Sequence, residues 1–89
     1  MGDKVIFTEE AKIEFHKAKC YFEFTKKEDV FWTDVNRQID LIIIMPFAFQ
    51  IRYKNIRIIQ LEKFDYSFHY IIKSYGVLVY RFLNNQQDY

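Results

Sequence analysis

The chain has 89 residues, of which 51% are hydrophobic and 28% are charged, and its formal net charge is +1. This length allows one small domain, which we expect to span residues 1–89. The hydrophobic content and the low net charge exclude an intrinsically disordered chain. One cysteine excludes an intramolecular disulfide and a CxxC metal site, and two glycines exclude a glycine-rich phosphate loop. We therefore expect neither a metal nor a cofactor.

The sequence contains no segment that predicts export or membrane insertion. Its first residues lack the apolar stretch of a signal peptide. The longest apolar run, residues 41–49, is interrupted by Pro46 and is far shorter than the ~20 residues of a membrane-spanning helix. We expect a cytoplasmic protein without membrane contact.

Charge is distributed unevenly along the chain. Residues 1–40 contain seven Lys or Arg and nine Asp or Glu, whereas residues 41–89 contain six and three. The C-terminal half is thus mildly basic. This is compatible with a surface that faces nucleic acid, but it is weaker than the basic patch of a dedicated nucleic-acid-binding protein.

The first half of the chain predicts a strand followed by a helix. Residues 4–7 form a short apolar run that is typical of a strand. Thr8 can accept a hydrogen bond as the N-cap of the helix that follows, and two glutamates come directly after it. The helix has an apolar face at three- and four-residue spacing, formed by Ala11, Phe15, Ala18 and Phe22. We expect Ile13, Cys20 and Phe24 to widen this face.

A second helix is predicted directly after the first. Thr25 and Glu28 have the spacing of a capping box, which places the helix start just after Thr25. Its apolar positions are Phe31, Val35, Ile39 and Ile42, and Pro46 ends it. Two helices with so short a connection form an antiparallel hairpin.

Beyond residue 55 the hydrophobic period changes from 3.6 to 2. Residues 55–64, 66–73 and 77–83 alternate as strands, with turns at Asp65 and at Ser74–Gly76. Three strands joined by tight turns predict an antiparallel meander. We therefore predict an α+β fold of two layers, in the order β-α-α-β-β-β, with the helical hairpin packed on an antiparallel sheet.

At this point the sequence resembles the RelE/ParE superfamily of bacterial type II toxin–antitoxin toxins, which includes plasmid-stabilisation proteins. The stretch Phe7–Ala11 is similar to the opening strand and the "(S/T)-x-x-A" helix start of the family. Gln50–Arg57 and Phe64–Tyr70 look like the ParE-type "R-Y-x-x-I-R … F-P-Y-x-I-x-Y" pattern, with Asp65 in place of the usual proline. The resemblance covers essentially the whole chain.

The resemblance implies a toxin that inhibits growth and is neutralised by a cognate antitoxin. ParE-like members poison DNA gyrase, whereas RelE-like members cut mRNA on the ribosome. Metal-free RNA cleavage needs a base, an acid and a cation for the phosphorane. If the chain is RelE-like, the resemblance implies Arg57, Arg81 and His69 as catalytic residues, with Tyr89 as a further residue of the right type. We expect a target to be bound by Arg52, Lys54, Arg57 and Arg81.

The sequence departs from the family at its C-terminus. Asn84 and Gln87 occupy positions where a histidine and an arginine are common in the family, and neither can act as an acid, base or cation. This favours a gyrase-type poison over a ribosome-dependent endoribonuclease, and it leaves open a non-toxic interaction module on the same fold. Each candidate residue also has a structural alternative: the basic residues as a solvated strand edge, and His69 as a core histidine.

Overall fold

In the computed structural model, residues 4–85 are described, and they form two helices and five strands. The elements in chain order are β1 (Lys4–Phe7), α1 (Glu9–Phe24), α2 (Glu28–Ile44), β2 (Ile51–Tyr53), β3 (Ile56–Gln60), β4 (Tyr66–Lys73) and β5 (Gly76–Asn84). The α+β class and the helical hairpin packed on a sheet are confirmed. No helix within residues 4–85 is both long and apolar enough to cross a bilayer.

The five strands form one mixed sheet in the order β1-β5-β4-β3-β2. The pairs β2–β3, β3–β4 and β4–β5 are antiparallel, whereas β1 runs parallel to β5. The prediction of a wholly antiparallel sheet is therefore wrong for β1. The parallel pairing is possible because the whole helical hairpin and the meander separate the two strands in the sequence. Gly76 allows their close approach, since its φ is +140° and a Cβ atom there would collide with the backbone of Lys4.

The sequence analysis did not predict strand β2. It has three exposed residues and pairs with β3 through a register irregularity. The connection is a two-residue turn in which Lys54 and Asn55 both adopt positive φ, 43° and 64°. Such a turn matches the twist of a hairpin, and asparagine tolerates this conformation well.

Helix α1 begins as predicted, because the Thr8 hydroxyl accepts the N–H of Ala11 at 3.1 Å. The predicted apolar face is also confirmed, with Ala11, Ala18 and Phe22 buried. The expected widening of that face is wrong. Ile13, Cys20 and Phe24 are exposed, since α1 contacts the sheet along one narrow stripe only.

The predicted capping box at Thr25 is wrong. Thr25 ends α1, and its hydroxyl donates to the carbonyl of Phe22 instead of capping the next helix. Lys26 then takes a positive φ of 61°, and α2 begins at Glu28 with Lys27 as an N-cap that makes no side-chain bond. The left-handed residue turns the chain sharply, so the capping pair cannot form.

Aromatic rings dominate the interface between the helices and the sheet. Phe22 and Phe31 lie 4.8 Å apart between their centroids, and Phe68 and Phe82 also lie 4.8 Å apart. Phe15 bridges the helices and the sheet, with Phe31 at 5.7 Å and Phe82 at 5.4 Å. Close ring pairs add to the stability that ring burial gives a small domain.

One buried carboxylate ties α2 to the β3–β4 loop. Asp34 is 4% exposed, and its two oxygens accept the backbone N–H groups of Glu62 at 3.1 Å and Lys63 at 2.7 Å. The side-chain amide of Gln38, one turn further along α2, donates to the same carboxylate at 3.2 Å. These bonds compensate for the burial of the carboxylate and fix the loop against the helix.

Candidate functional site

Arg57 lies on the face of the sheet that the helices cover. It is directly opposite Tyr70, whose ring is fully buried in the core. The Arg57 guanidinium donates to the carbonyl of Phe49 at 2.5 Å and lies 5.3 Å from the ring centroid of Phe47. Arg57 therefore braces the loop between α2 and β2.

His69 lies on the opposite face of the sheet, because neighbouring residues of a strand alternate between faces. It is fully buried, with Nδ1 3.0 Å from the Tyr53 hydroxyl and Nε2 3.4 Å from the Ser67 hydroxyl. Ser67 donates its own proton to Asn85 at 2.7 Å.

Burial lowers the pKa of His69 below its usual 6.5, and the nearby Arg81 charge lowers it further, while Glu14 opposes the shift. The neutral imidazole is therefore the form that fits this network. Since its side chain has no exposed surface, His69 in this conformation has the surroundings of a structural residue rather than of a group that contacts a substrate.

Arg81 lies directly opposite His69 in the β4–β5 register, where β5 has an irregularity. Its Nε atom is 3.0 Å from both carboxylate oxygens of Glu14 on α1, and Nη2 bonds one of them as well. Glu10 lies 3.7 Å from Nη1. The hydrogen bonds to Glu14 raise the pKa of Arg81, which is thus a paired cation at one end of the sheet.

Arg52 and Lys54 lie at the other edge of the sheet, on β2 and in the turn that follows. Both are exposed, and within residues 4–85 neither side chain makes a hydrogen bond or an ion pair. The predicted site residues therefore fall into two places. Arg52, Lys54 and Arg57 lie on β2, in the turn after it and on β3, whereas His69 and Arg81 lie opposite each other on β4 and β5, where Arg81 also bonds Glu14. Asn84 is the last residue of β5, and Gln87 and Tyr89 lie outside the described residues.

A concave surface that the sequence analysis did not predict lies beside β1. We call it the β1 groove; it has a volume of about 770 Å³ and an apolar lining formed by Val5, Phe7, Phe15, Trp32, Val35 and Ile39. Lys12, His16 and Lys19 also line it. Among residues 4–85, β1 is an edge strand, and its second side pairs with no other strand of that part of the chain. One residue indicated this surface in the sequence. Trp32 follows the buried Phe31, so its ring lies on a different side of α2.

The described residues 4–85 contain no group of three or more His, Cys, Asp or Glu side chains placed to hold a metal ion. What the geometry offers is instead a groove with an open strand edge and a second edge that carries unpaired cations. Both features suit the binding of a polypeptide.

Comparison with known proteins identifies the fold. No protein-family model and no curated protein matches the chain. A solved structure described as the chromosomal ParDE toxin–antitoxin system from P. aeruginosa is similar, with a TM-score of 0.71 over 91% of this chain and 94% of that chain. The two sequences are 13% identical, so the similarity concerns the fold. The predicted resemblance is confirmed at the level of the fold, which this chain shares with the ParDE structure.

Proposed function

We propose that the chain is the toxin of a type II toxin–antitoxin pair and that it inhibits growth by binding a protein target. The observation that carries this proposal is the similarity to the ParDE structure over nine-tenths of both chains. The sequence patterns at Phe7–Ala11 and at Gln50–Arg57 support it as well.

The placement of the candidate catalytic residues favours binding over RNA cleavage. Arg57 and His69 lie on opposite faces of the sheet, and Arg81 is held by a carboxylate. A ribonuclease needs its acid, base and cation within reach of one phosphate. This supports a gyrase-type poison over a ribosome-dependent endoribonuclease, which remains the alternative.

The β1 groove is the proposed site of the antitoxin. An extended segment can add to the open edge of β1 through main-chain hydrogen bonds while apolar side chains enter the groove beside it. The cations Lys12 and Lys19 favour a segment with acidic residues. Burial of Trp32, which is 37% exposed, would add an aromatic anchor of the kind that dominates interfaces.

Growth after controlled induction in a bacterial host tests the toxin proposal. We expect arrest, and we expect co-expression of the antitoxin encoded beside the gene to relieve it. Purified chain added to DNA gyrase and supercoiled plasmid should then stabilise cleaved DNA, whereas ribosomes programmed with mRNA should yield intact message. Cleaved message with intact plasmid would establish the endoribonuclease instead. Normal growth with folded protein would contradict both and favour the non-toxic module.

The antitoxin site has a built-in reporter, because Trp32 is the only tryptophan of the chain. Titration with a tryptophan-free peptide from the antitoxin should change the emission of Trp32. Ile39→Glu should weaken binding, since Ile39 lines the groove, and Ile13→Glu is a matched control on an exposed part of α1. Equal binding by both variants would place the antitoxin elsewhere.

A further inference from the structure

The end of α2, the following loop and β2 expose a cluster of large apolar side chains. We call it the β2 patch and define it as Ile44, Met45, Phe47 and Ile51; Ile44 is 72% and Phe47 60% exposed. Soluble proteins commonly expose single apolar residues, but four exposed apolar residues within eight consecutive positions indicate an interaction surface. The patch lies at the β2 edge of the sheet, opposite the edge that carries the β1 groove.

Two hydrogen bonds hold the loop that carries this patch. The Tyr70 hydroxyl donates to the carbonyl of Pro46 at 2.8 Å, and the Arg57 guanidinium donates to the carbonyl of Phe49. Phe47 lies between these two anchored residues, and the Arg57 guanidinium also lies against its ring. The loop thus presents Phe47 outward from a fixed backbone. Because this backbone is already ordered, the loop loses less conformational entropy when a partner binds.

The segment that carries the patch contains positive charge only. Residues 41–61 contain three cations, Arg52, Lys54 and Arg57, and no carboxylate; Asp40 and Glu62 flank this segment. Lys73, at the end of β4, lines a groove of about 410 Å³ together with Phe47, Ile51 and Arg57. Within residues 4–85, Arg52, Lys54 and Lys73 make no ion pair with a side chain, so their charge is available to a partner.

We propose that the β2 patch binds an acidic segment of another protein, whose apolar side chains enter the groove beside Phe47 and Ile51 while its carboxylates meet Arg52, Lys54 and Lys73. A second copy of this chain would bring these cations together across the interface, which opposes association. Nucleic acid would satisfy the cations but would leave the aliphatic Ile44 and Met45 without apolar contact. The proposal does not depend on the toxin function, since it concerns a different edge of the sheet.

The test uses the full chain and a fluorescein-labelled amphipathic peptide of leucine and glutamate, followed by fluorescence anisotropy. We expect saturable binding that weakens with added salt. The double variant Phe47→Ser, Ile51→Ser should bind at least about tenfold more weakly, as expected when a central apolar anchor is removed. Arg52→Glu with Lys54→Glu should weaken binding similarly.

Two control variants match these changes elsewhere on the surface. Phe24→Ser removes an aromatic ring that is 87% exposed, and Lys17→Glu with Lys27→Glu reverses two exposed cations. Both should bind the peptide as the wild type does, and circular dichroism should show the same fold for every variant.

Three outcomes would overturn the proposal. The first is absence of peptide binding, or binding that Phe47→Ser, Ile51→Ser leaves unchanged. The second is a wild-type dimer in sedimentation velocity that this variant dissociates, which would make the patch a self-association surface. The third is tighter binding of a 12-residue oligouridylate that depends on Arg52 and Lys54 but not on Phe47, which would make it a nucleic-acid surface.

Discussion

Glu14 and Arg81 are 67 residues apart in the sequence, yet the Glu14 carboxylate bonds both the Arg81 guanidinium and the backbone N–H of Phe82, the latter at 3.0 Å. Strand β1 pairs with β5 only as far as Val79. Beyond that point, α1 covers the edge of β5 with a side chain in place of a strand. Glu14 thus satisfies a backbone donor that would otherwise be unpaired at the sheet edge.

We expect Glu14→Gln to lower the free energy of unfolding by about 1–2 kcal/mol, because a charge-assisted bond to a backbone N–H is weakened and the ion pair is lost. Urea unfolding followed by circular dichroism measures the change. Glu9→Gln is the control, since Glu9 is exposed and pairs only with the exposed Lys12 among residues 4–85. An equal effect of both substitutions would show that the contact with β5 contributes nothing specific.

The lowered pKa of His69 predicts a loss of stability in mild acid. The unfolded chain protonates this histidine near pH 6.5, whereas the folded chain does so only at lower pH. Below pH 6.5 the unfolded state therefore binds more protons than the folded state, and the free energy of unfolding should decrease as the pH falls. Above pH 6.5 the free energy of unfolding keeps its full value. His69→Gln should flatten this part of the pH profile, measured by urea midpoints between pH 7 and 5.

Among the polar residues of α2, we expect substitution of Asp34 to cause the largest loss of stability. Asp34→Ala removes the acceptor of two backbone N–H groups and of the Gln38 amide. We expect a loss of about 2–4 kcal/mol, since buried donors left unpaired each cost about 1–3 kcal/mol and water can reach part of the loop. Differential scanning calorimetry measures it, with Asp40→Ala on the exposed side of α2 as the control. A shift no larger than that of the control would contradict this role.

Local patterns in the sequence predicted the helices and the meander well. The stripes at Ala11–Phe22 and Phe31–Ile42 are buried, and Thr8 caps α1, because both signals act within a few residues. The capping box at Thr25 failed although its spacing was right. The bond of its hydroxyl to Phe22 and the left-handed Lys26 depend on how the two helices pack against the sheet.

The candidate site was harder to predict, since the roles of its residues depend on long-range partners. Nothing near Arg81 in the sequence indicates Glu14, and nothing near Asp34 indicates the loop at residues 62–63. The family pattern drew attention to Arg57, but only the register opposite Tyr70 shows that it lies on the covered face of the sheet.

Arg57 and Tyr70 are adjacent in the β3–β4 register and hold the same loop at Phe49 and Pro46. Tyr70→Phe should cost about 1 kcal/mol for one neutral hydrogen bond, and Arg57→Ala about 1–2 kcal/mol. Because either bond alone can keep part of the loop in place, the double variant should lose more than the sum of the single changes. A double-mutant cycle in urea detects this coupling.

Tyr70 also provides a direct check on the same variants, since burial raises its pKa to about 12 while the charge of Arg57 opposes the rise. The unfolded tyrosine releases its proton near pH 10, so the folded state holds the proton more tightly and loses stability as the pH rises above 10. Tyr70→Phe should reduce this alkaline loss, and Arg57→Ala should enlarge it because the charge that opposes the rise in pKa is removed. Two results together would contradict this role: additive effects in the double-mutant cycle, and an alkaline profile of Tyr70→Phe equal to that of the wild type. The loop would then not be held by these two side chains, and the fixed presentation of Phe47 would lose its basis.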